Sequence, residues 1–186
     1  MITCRIKDVD MEFETNDSLF SPGGIDRGAL AMLSCIEFKE DDREMDLGCG
    51  CGIVGILAAR KIGGDNVVLV DIDENAVAVA KRNAKINGVE RIVIYLSNGF
   101  QNVHEKDFTL ILSNPPYHED FSVPKAFIEK GFNRLRIGGK MVMVTKRDKW
   151  YRNKLTAIFG GTRVVVIDDY YVFTAEKRSF SYANKK

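Results

Sequence analysis

The chain has 186 residues, 45% of them apolar, so it can bury an ordinary core, and a single domain is the default expectation. It contains no apolar run long enough for a membrane span, and its amino terminus lacks the apolar core of a signal peptide. The net charge of +1 excludes a globally basic protein. The spacing of the four cysteines and two histidines argues against a zinc site, and we expect the cysteines to be reduced thiols in the cytoplasm.

Helix and strand signals alternate along the chain. In chain order they predict a helix over about 26–37, a strand ending at 47, a helix over 53–61, a strand over 66–71, a helix over 74–86, strands over 91–96 and 108–113, a helix over 123–135, a strand over 140–145 and a helix over 149–159. Two β-rich runs, 162–167 and 170–175, flank an Asp-Asp step and predict a terminal antiparallel hairpin.

This alternation predicts an α/β fold, with a mostly parallel sheet covered by helices on both faces. We expect one domain over 1–186, in which 1–40 form an N-terminal segment with a helix and 41–186 form the sheet core. Ligands bind such sheets at the carboxyl ends of the strands, so residues just after the predicted strands are the candidates for a site.

A glycine-rich turn, Asp-Leu-Gly-Cys-Gly-Cys-Gly at 46–52, follows the first of these strands. Glycines let a ligand approach the backbone, and the helix start beyond them offers free N–H groups to an anion. Asp46 adds a carboxylate that suits a cationic group. A ligand with both an ammonium and a carboxylate, such as the amino-acid part of S-adenosylmethionine, fits this pairing better than a pyrophosphate does.

A dinucleotide site is the alternative, because Gly50, Gly52 and Gly55 satisfy G-x-G-x-x-G. In the usual register the first glycine follows the strand at once, and here Gly48 occupies that place while Ile53 stands where a glycine is expected. The match is therefore out of register and weak.

Asp71 ends the next predicted strand and lies 19 residues after Gly52. An acidic residue at this place can accept hydrogen bonds from both ribose hydroxyls. Asp73 is predicted to cap the following helix.

Residues 114–117 read Asn-Pro-Pro-Tyr at the end of the strand predicted over 108–113. The motif presents a side-chain amide, a rigid turn and an aromatic ring together, which is what holding a planar NH2 group requires. A plain Pro-Pro turn is the simpler interpretation, but the glycine turn upstream favours a functional one.

Charge is distributed unevenly along the chain. Residues 1–130 carry 14 Lys/Arg against 22 Asp/Glu, and residues 131–186 carry 13 against 4. Within the second part, 146–154 place five basic residues around Trp150 and Tyr151, a pattern that suits a nucleic-acid backbone and unstacked bases. The alternative is a solvated helix face with one of these rings anchored in the core.

Taken together, the glycine turn, Asp71 and Asn114–Tyr117 resemble a class I S-adenosylmethionine-dependent methyltransferase, with a Rossmann-like seven-stranded sheet whose last strand is antiparallel. Three segments are similar to the small methyltransferase domain family: 20–28 (F-S-P-G-G-I-D-R-G) to its F-S-x-x-x-[IVL]-D-x-G, 113–118 (S-N-P-P-Y-H) to its S-N-P-P-F-H, and 170–175 to its Y-x-V-x-x-A.

The best-known members methylate guanine N2 in ribosomal RNA, and the resemblance implies that activity, with RNA or a ribosomal subunit as the partner. Bacterial members with this activity carry an extra N-terminal domain, and this chain resembles the single-domain members. Tyr117 stands where the guanine enzymes tend to have Phe, and it is frequent in adenine-N6 and protein glutamine methyltransferases, which remain alternatives.

The resemblance also implies residue roles. For the cofactor S-adenosylmethionine, Asp46 and the backbone of Gly48, Cys49, Gly50 and Gly52 hold the methionine part, Asp71 the ribose, Ile72 the adenine face, and Asn98-Gly99 the adenine edge, and Asn114 also contacts the cofactor. For catalysis, Asn114 and the Pro115 carbonyl accept hydrogen bonds from the target NH2 in the turn completed by Pro116. Tyr117 stacks on the base, and Phe20 and His118 contact the substrate. No metal and no membrane are expected, and the location is predicted to be cytoplasmic.

Overall fold

The computed structural model describes residues 1–14, 24–116 and 120–184. These residues form the strands β1 (Ile2–Ile6), β2 (Val9–Phe13), β3 (Glu44–Leu47), β4 (Val67–Asp71), β5 (Val93–Leu96), β6 (Phe108–Ser113), β7 (Leu135–Thr145), β8 (Arg163–Ile167) and β9 (Tyr170–Glu176). They also form the helices α1 (Arg27–Ser34), α2 (Ile53–Ile62), α3 (Glu74–Ile86), α4 (Ser122–Arg134) and α5 (Lys149–Phe159).

Seven strands make one sheet in the order β5-β4-β3-β6-β7-β9-β8. The pairs from β5 to β7 are parallel, whereas β9 is antiparallel to both β7 and β8. This confirms the predicted mostly parallel sheet and its closing antiparallel hairpin. From β3 the strands β4 and β5 are added on one side, and β6 and β7 on the other, so the strand order reverses between β3 and β6. The carboxyl ends of these two strands border the crevice where such sheets bind ligands.

Helices cover both faces of the sheet, as predicted. Along β4, Val67 and Leu69 join the core formed with α1, α2 and α3, while Val68 and Val70 join the core formed with α4 and α5. Strands buried on both faces are continuous apolar runs, which is why the sequence pattern identified them.

The β1–β2 hairpin was not predicted. Its sequence signal is the alternation of buried Val9, Met11 and Phe13 with exposed acidic residues. The turn is formed by Lys7 and Asp8 at φ +49° and +64°, without the glycine or asparagine that usually marks such a turn.

Asn83 of α3 and Asn87, which caps the end of that helix, fasten this hairpin to the sheet. The Asn87 amide bonds to both backbone groups of Glu12 (3.1 and 2.7 Å), and the Asn83 amide does the same at Glu14 (2.7 and 3.1 Å). The Asn83 amide also donates to the carbonyl of Cys51 at 3.0 Å, which ties the hairpin to the glycine turn.

The strand predicted over 140–145 is longer, and it begins where α4 ends. Gly138 and Gly139 lie inside β7, where the Gly138 amide donates to the Lys177 carbonyl at 2.8 Å and the Lys177 amide donates to the Gly139 carbonyl at 2.9 Å. The pairing register with β6 shifts opposite this segment, between Phe108 and Leu110, so the start of β7 is irregular. Its two glycines also give the start of the strand little β propensity.

Candidate active site

The glycine turn and the Asn-Pro-Pro segment leave the sheet from neighbouring strands. Asp46 of β3 is paired with Leu112 of β6, and the buried Ser113 hydroxyl donates to the Leu47 carbonyl at 2.7 Å. This bond fastens the two strand ends together, so residues 48–52 and Asn114 start from adjacent points.

The glycine turn is shaped by left-handed residues. Gly48, Gly50 and Gly52 have φ of +81°, +53° and +89°, a region that disfavours other side chains. No described atom lies within 4 Å of the place where a Cβ of Gly50 would stand, so the backbone there faces open space. The N-cap Gly52 has no side chain, and among the first amides of α2 that of Gly55 is bound by Asp46, so the amides before it are the ones available to an anion.

Two carboxylates hold this turn. The buried Asp46 accepts from the Gly55 amide at 2.9 Å, and burial raises the pKa of Asp46 to about 7, with the nearby charge of Asp71 adding to the effect and the Gly55 bond opposing it. Asp71 accepts from the Gly50 amide at 2.8 Å and, through its other oxygen, from Asp73 at 3.0 Å. Asp71 therefore anchors the turn in addition to the ribose role predicted for it.

A cavity of about 220 Å³ lies between the turn, the start of α1 and the end of β6. It is lined by Asp26, Ala29, Asp46, Gly48, Cys49, Gly50, Cys51, Ile53, Val54 and Asn114. The structure thus brings together four of the five residues predicted for the methionine part of the cofactor and, of the residues predicted for catalysis, Asn114. The other lining residues, Asp26 and Ala29 among them, were not predicted as site residues.

Gly52 serves the core instead, since a Cβ there would lie 3.1–3.3 Å from Ile56, Leu69 and Ala80. Its place in the glycine pattern therefore follows from helix packing.

The residues predicted for ribose and adenine lie outside this cavity, along the same edge of the sheet. Ile72 is 67% exposed, and the amide of Ser97, just before Asn98-Gly99, donates to the Asp71 carbonyl at 2.8 Å. The ring of Phe127 on α4 would be 3.9 Å from a Cβ on Gly48 and 3.4 Å from one on Gly99. Phe127 therefore connects the two regions, a contact that no local sequence pattern indicates.

Asn114 has the most telling environment in the site. Its Nδ2 donates to Asp26 Oδ1 at 2.7 Å, while its own Oδ1 is buried and has no hydrogen-bond partner among the described residues. A buried acceptor without a donor costs free energy, so it points to a donor that a ligand supplies. Pro115 is buried and Pro116 exposed, whereas Phe20, Tyr117 and His118 lie outside the described residues.

The thiols in the turn are unreactive. Burial raises the pKa of Cys49 well above its ordinary value and that of Cys51 to about 12, so both stay protonated. Across residues 1–14, 24–116 and 120–184, no group of His, Cys, Asp and Glu is arranged to hold a metal ion.

An aromatic and cationic stack follows the Asn-Pro-Pro segment. Phe121 and Trp150 are stacked with their centroids 4.3 Å apart, and the Arg147 guanidinium lies 5.0 Å over the Phe121 ring. All three side chains are half-buried, so the stack presents its edge at the surface beside the site.

The basic run around this stack is partly neutralised. Lys146 pairs with Asp169 at 2.7 Å, Arg152 pairs with Asp148 at 2.8 Å, and Lys154 pairs with Glu129. Tyr151 is buried in the core, as the alternative interpretation of this segment proposed.

A family model described as the methyltransferase small domain matches residues 10–174. The chain belongs to this family. Membership confirms the predicted enzyme class, an S-adenosylmethionine-dependent methyltransferase, and the predicted cofactor. The cavity fits that cofactor, since it places an open glycine backbone beside the Asp46 carboxylate. In the part of the chain described, no helix is long and apolar enough to cross a membrane.

Sequence relatives include ribosomal RNA small subunit methyltransferase C of Psychromonas ingrahamii, 31% identical over 164 residues, which are 86% of this chain and 46% of that protein. Bacillus subtilis YbxB, an uncharacterized protein, is 29% identical over 93% of this chain and 89% of its own length. The chain thus spans about half the length of the ribosomal RNA relatives it matches.

Among solved structures, the Thermus thermophilus 16S rRNA N2 G1207 methyltransferase in complex with AdoMet and guanosine superposes with a TM-score of 0.86 at 26% identity, over 95% of this chain and 50% of that one. TrmN from Thermus thermophilus, at 24% identity and a TM-score of 0.68 over 80% of this chain and 48% of that one, shares the fold.

Proposed function

We propose that this methyltransferase acts on the exocyclic NH2 of a nucleobase, and that the base is guanine, methylated at N2 in ribosomal RNA. The observation that carries the proposal is the Asn114 side chain, which borders the cavity beside the glycine turn and whose buried Oδ1 meets no donor among the described residues. An exocyclic NH2 would supply such a donor.

The chemistry asks little of the protein beyond positioning. Conjugation flattens an exocyclic NH2 and makes its nitrogen a poor nucleophile. The NH2 group would donate hydrogen bonds to Asn114 Oδ1 and to the Pro115 carbonyl. These two bonds favour a pyramidal nitrogen, whose lone pair then points at the methyl group. Orienting two reactants in this way is worth roughly 7–11 kcal/mol in well-aligned cases.

The cofactor supplies an electrophilic methyl group on a sulfonium. We assign its ammonium to the region of Asp46 and its carboxylate to the backbone of Ile53 and Val54 at the start of α2, since these groups of complementary charge border one cavity. We assign the ribose to Asp71, and the adenine to the surface formed by Ile72, Asn98 and Gly99 with Phe127.

Three observations support guanine in RNA over the alternatives. The fold superposes over 95% of the chain on an enzyme named for guanine N2 and solved with guanosine. Several sequence relatives are named for ribosomal RNA. The stack of Phe121, Trp150 and Arg147 beside the site offers an aromatic edge and a cation, which suit an unstacked base and its phosphates.

Two further expectations stay predictions. We propose that residues 1–186 act as one methyltransferase domain and that the protein works in the cytoplasm.

An acceptor panel tests the proposed function. Purified small subunits, large subunits, extracted ribosomal RNA and release factor would be offered in parallel with labelled S-adenosylmethionine. We expect label in RNA, with N2-methylguanosine as the modified nucleoside. Label in N6-methyladenosine or in release factor alone would move the enzyme to one of the alternative classes.

A further inference from the structure

Asp26 makes two hydrogen bonds through the same oxygen. Its Oδ1 accepts from the backbone amide of Ala29 at 2.8 Å, which caps the start of α1. The same Oδ1 accepts from Asn114 Nδ2 at 2.7 Å, from a residue 88 positions away. Helix α1 is thereby joined to the segment that holds the acceptor-binding amide.

The bond to Asp26 decides which way the Asn114 amide faces. An asparagine side chain presents an oxygen on one side and an NH2 on the other. With the NH2 held by a carboxylate, which only accepts, the oxygen must face the opposite direction. That oxygen is the buried acceptor without a partner among the described residues, and both side chains line the same cavity.

The glycine two positions after Asp26 fits this arrangement. A Cβ on Gly28 would lie 2.9 Å from Asp26 Oδ1, closer than real Cβ contacts, and 3.0 Å from the Tyr170 ring, a tight contact. A side chain at position 28 would therefore force Asp26 Oδ1 or the groups around it to shift. This gives a physical reason for the Asp-x-Gly spacing at 26–28.

We propose that Asp26 is a positioning residue, which fixes the orientation of the Asn114 amide and so directs its Oδ1 towards the acceptor NH2. The inference rests on the proposed function, because it assigns Asn114 Oδ1 to the methyl acceptor. Asp26 itself takes no part in the transfer of the methyl group or of a proton.

Two substitutions separate positioning from helix capping. Asp26→Ser keeps an oxygen that can cap Ala29, but the side chain is one atom shorter and cannot also reach Asn114. Asp26→Asn keeps both the length and one acceptor oxygen, which can serve both donors as Oδ1 now does. Asp73→Ser is the matched control, since Asp73 caps α3 through Asn75 at 2.9 Å.

The experiment measures kcat and KM for methyl transfer to ribosomal RNA, the Kd for S-adenosylmethionine, the melting temperature, and the side-chain NH2 signals of Asn114 by NMR. We expect Asp26→Ser to lower kcat by about 10- to 100-fold, the scale of a small misplacement, while the Kd changes by less than about threefold. The Asn114 NH2 signals should shift in this variant. Asp26→Asn should recover most of kcat, and Asp73→Ser should behave as wild type.

The failures can be told apart. If wild type transfers no methyl group to RNA, the proposed function is wrong and the inference is wrong with it. If wild type is active and Asp26→Ser retains full kcat with unshifted Asn114 signals, the inference alone is overturned. A parallel loss of melting temperature, cofactor affinity and kcat, not recovered by Asp26→Asn, would also overturn it, because it would show a purely structural role.

Discussion

Replacing Glu44 by leucine should stabilise this protein, although it removes a charged residue. Glu44 opens β3, is 0% exposed, and neither of its carboxyl oxygens has a hydrogen-bond partner among the described residues. Burial raises its pKa well above the ordinary value of 4.5, with further contributions from the charges of Asp46 and Asp42. A buried polar group without partners costs ~1–3 kcal/mol, which an apolar side chain of similar volume avoids.

The stabilisation by Glu44→Leu should grow with pH. Since the pKa of Glu44 is higher in the folded chain than in the unfolded chain, stability is fully present below about pH 4.5 and falls as pH rises through the folded pKa, by ~1.4 kcal/mol per unit. Glu44→Leu removes this dependence. We expect it to raise the free energy of unfolding by ~1–3 kcal/mol at pH 5, or roughly 2–12 °C in Tm, and by more at pH 8.

Urea unfolding at pH 5 and pH 8 measures this, with two companions. Glu44→Gln keeps the unpaired polar atoms but cannot ionise, so it should remove the pH dependence without the gain at pH 5. Glu40→Leu, on an exposed residue, should change stability by less than ~0.5 kcal/mol. A loss of more than ~1 kcal/mol in Glu44→Leu at both pH values would refute the reasoning, because it would reveal a partner that this account lacks.

Three further predictions concern the site. Asp71→Ala should raise the Kd for S-adenosylmethionine about tenfold or more by calorimetry, since the carboxylate holds the Gly50 amide; an unchanged Kd would contradict this. The same Kd should fall by up to about eightfold from pH 6 to pH 7.5 as Asp46, with a pKa of about 7, becomes charged, and Asp46→Asn should abolish this trend. Gly55→Ala should cost ~1–3 kcal/mol in urea unfolding, because its Cβ would clash with Leu69 Cδ1, and a neutral effect would mean that this helix can move.

The parts of this molecule that sequence predicted well are those set by local patterns. The glycine turn directly follows β3, Asp71 is the last residue of β4, and Asn114 directly follows β6, so the strand pattern alone places them at one edge of the sheet. Helix α3 begins at a capping aspartate and ends at Asn87, signals that lie in the adjacent sequence.

The missed features depend on contacts between distant segments. Asp26 meets Asn114 across 88 positions, and Phe127 approaches Gly48 and Gly99 from a helix whose local pattern indicates only an apolar face. The β1–β2 hairpin is held by the side-chain amides of Asn83 and Asn87 and not by a strand of the seven-stranded sheet. A strand pattern in the sequence therefore does not predict where the hairpin lies. Each of these follows from tertiary packing, which a single-sequence pattern does not encode.

Asn114 Oδ1 is proposed to accept a hydrogen bond from the methyl acceptor. Single-turnover methylation of ribosomal RNA by the Asn114→Ala variant is the measurement that we would make to test this role. We expect the single-turnover rate of methyl transfer to be lower than in wild type by about 1,000-fold or more. The Kd for S-adenosylmethionine, measured on the same preparation, should stay within about threefold of wild type. A rate close to wild type, or a cofactor Kd that rises in proportion to the lost rate, would contradict it and assign Asn114 to the cofactor site or to the fold.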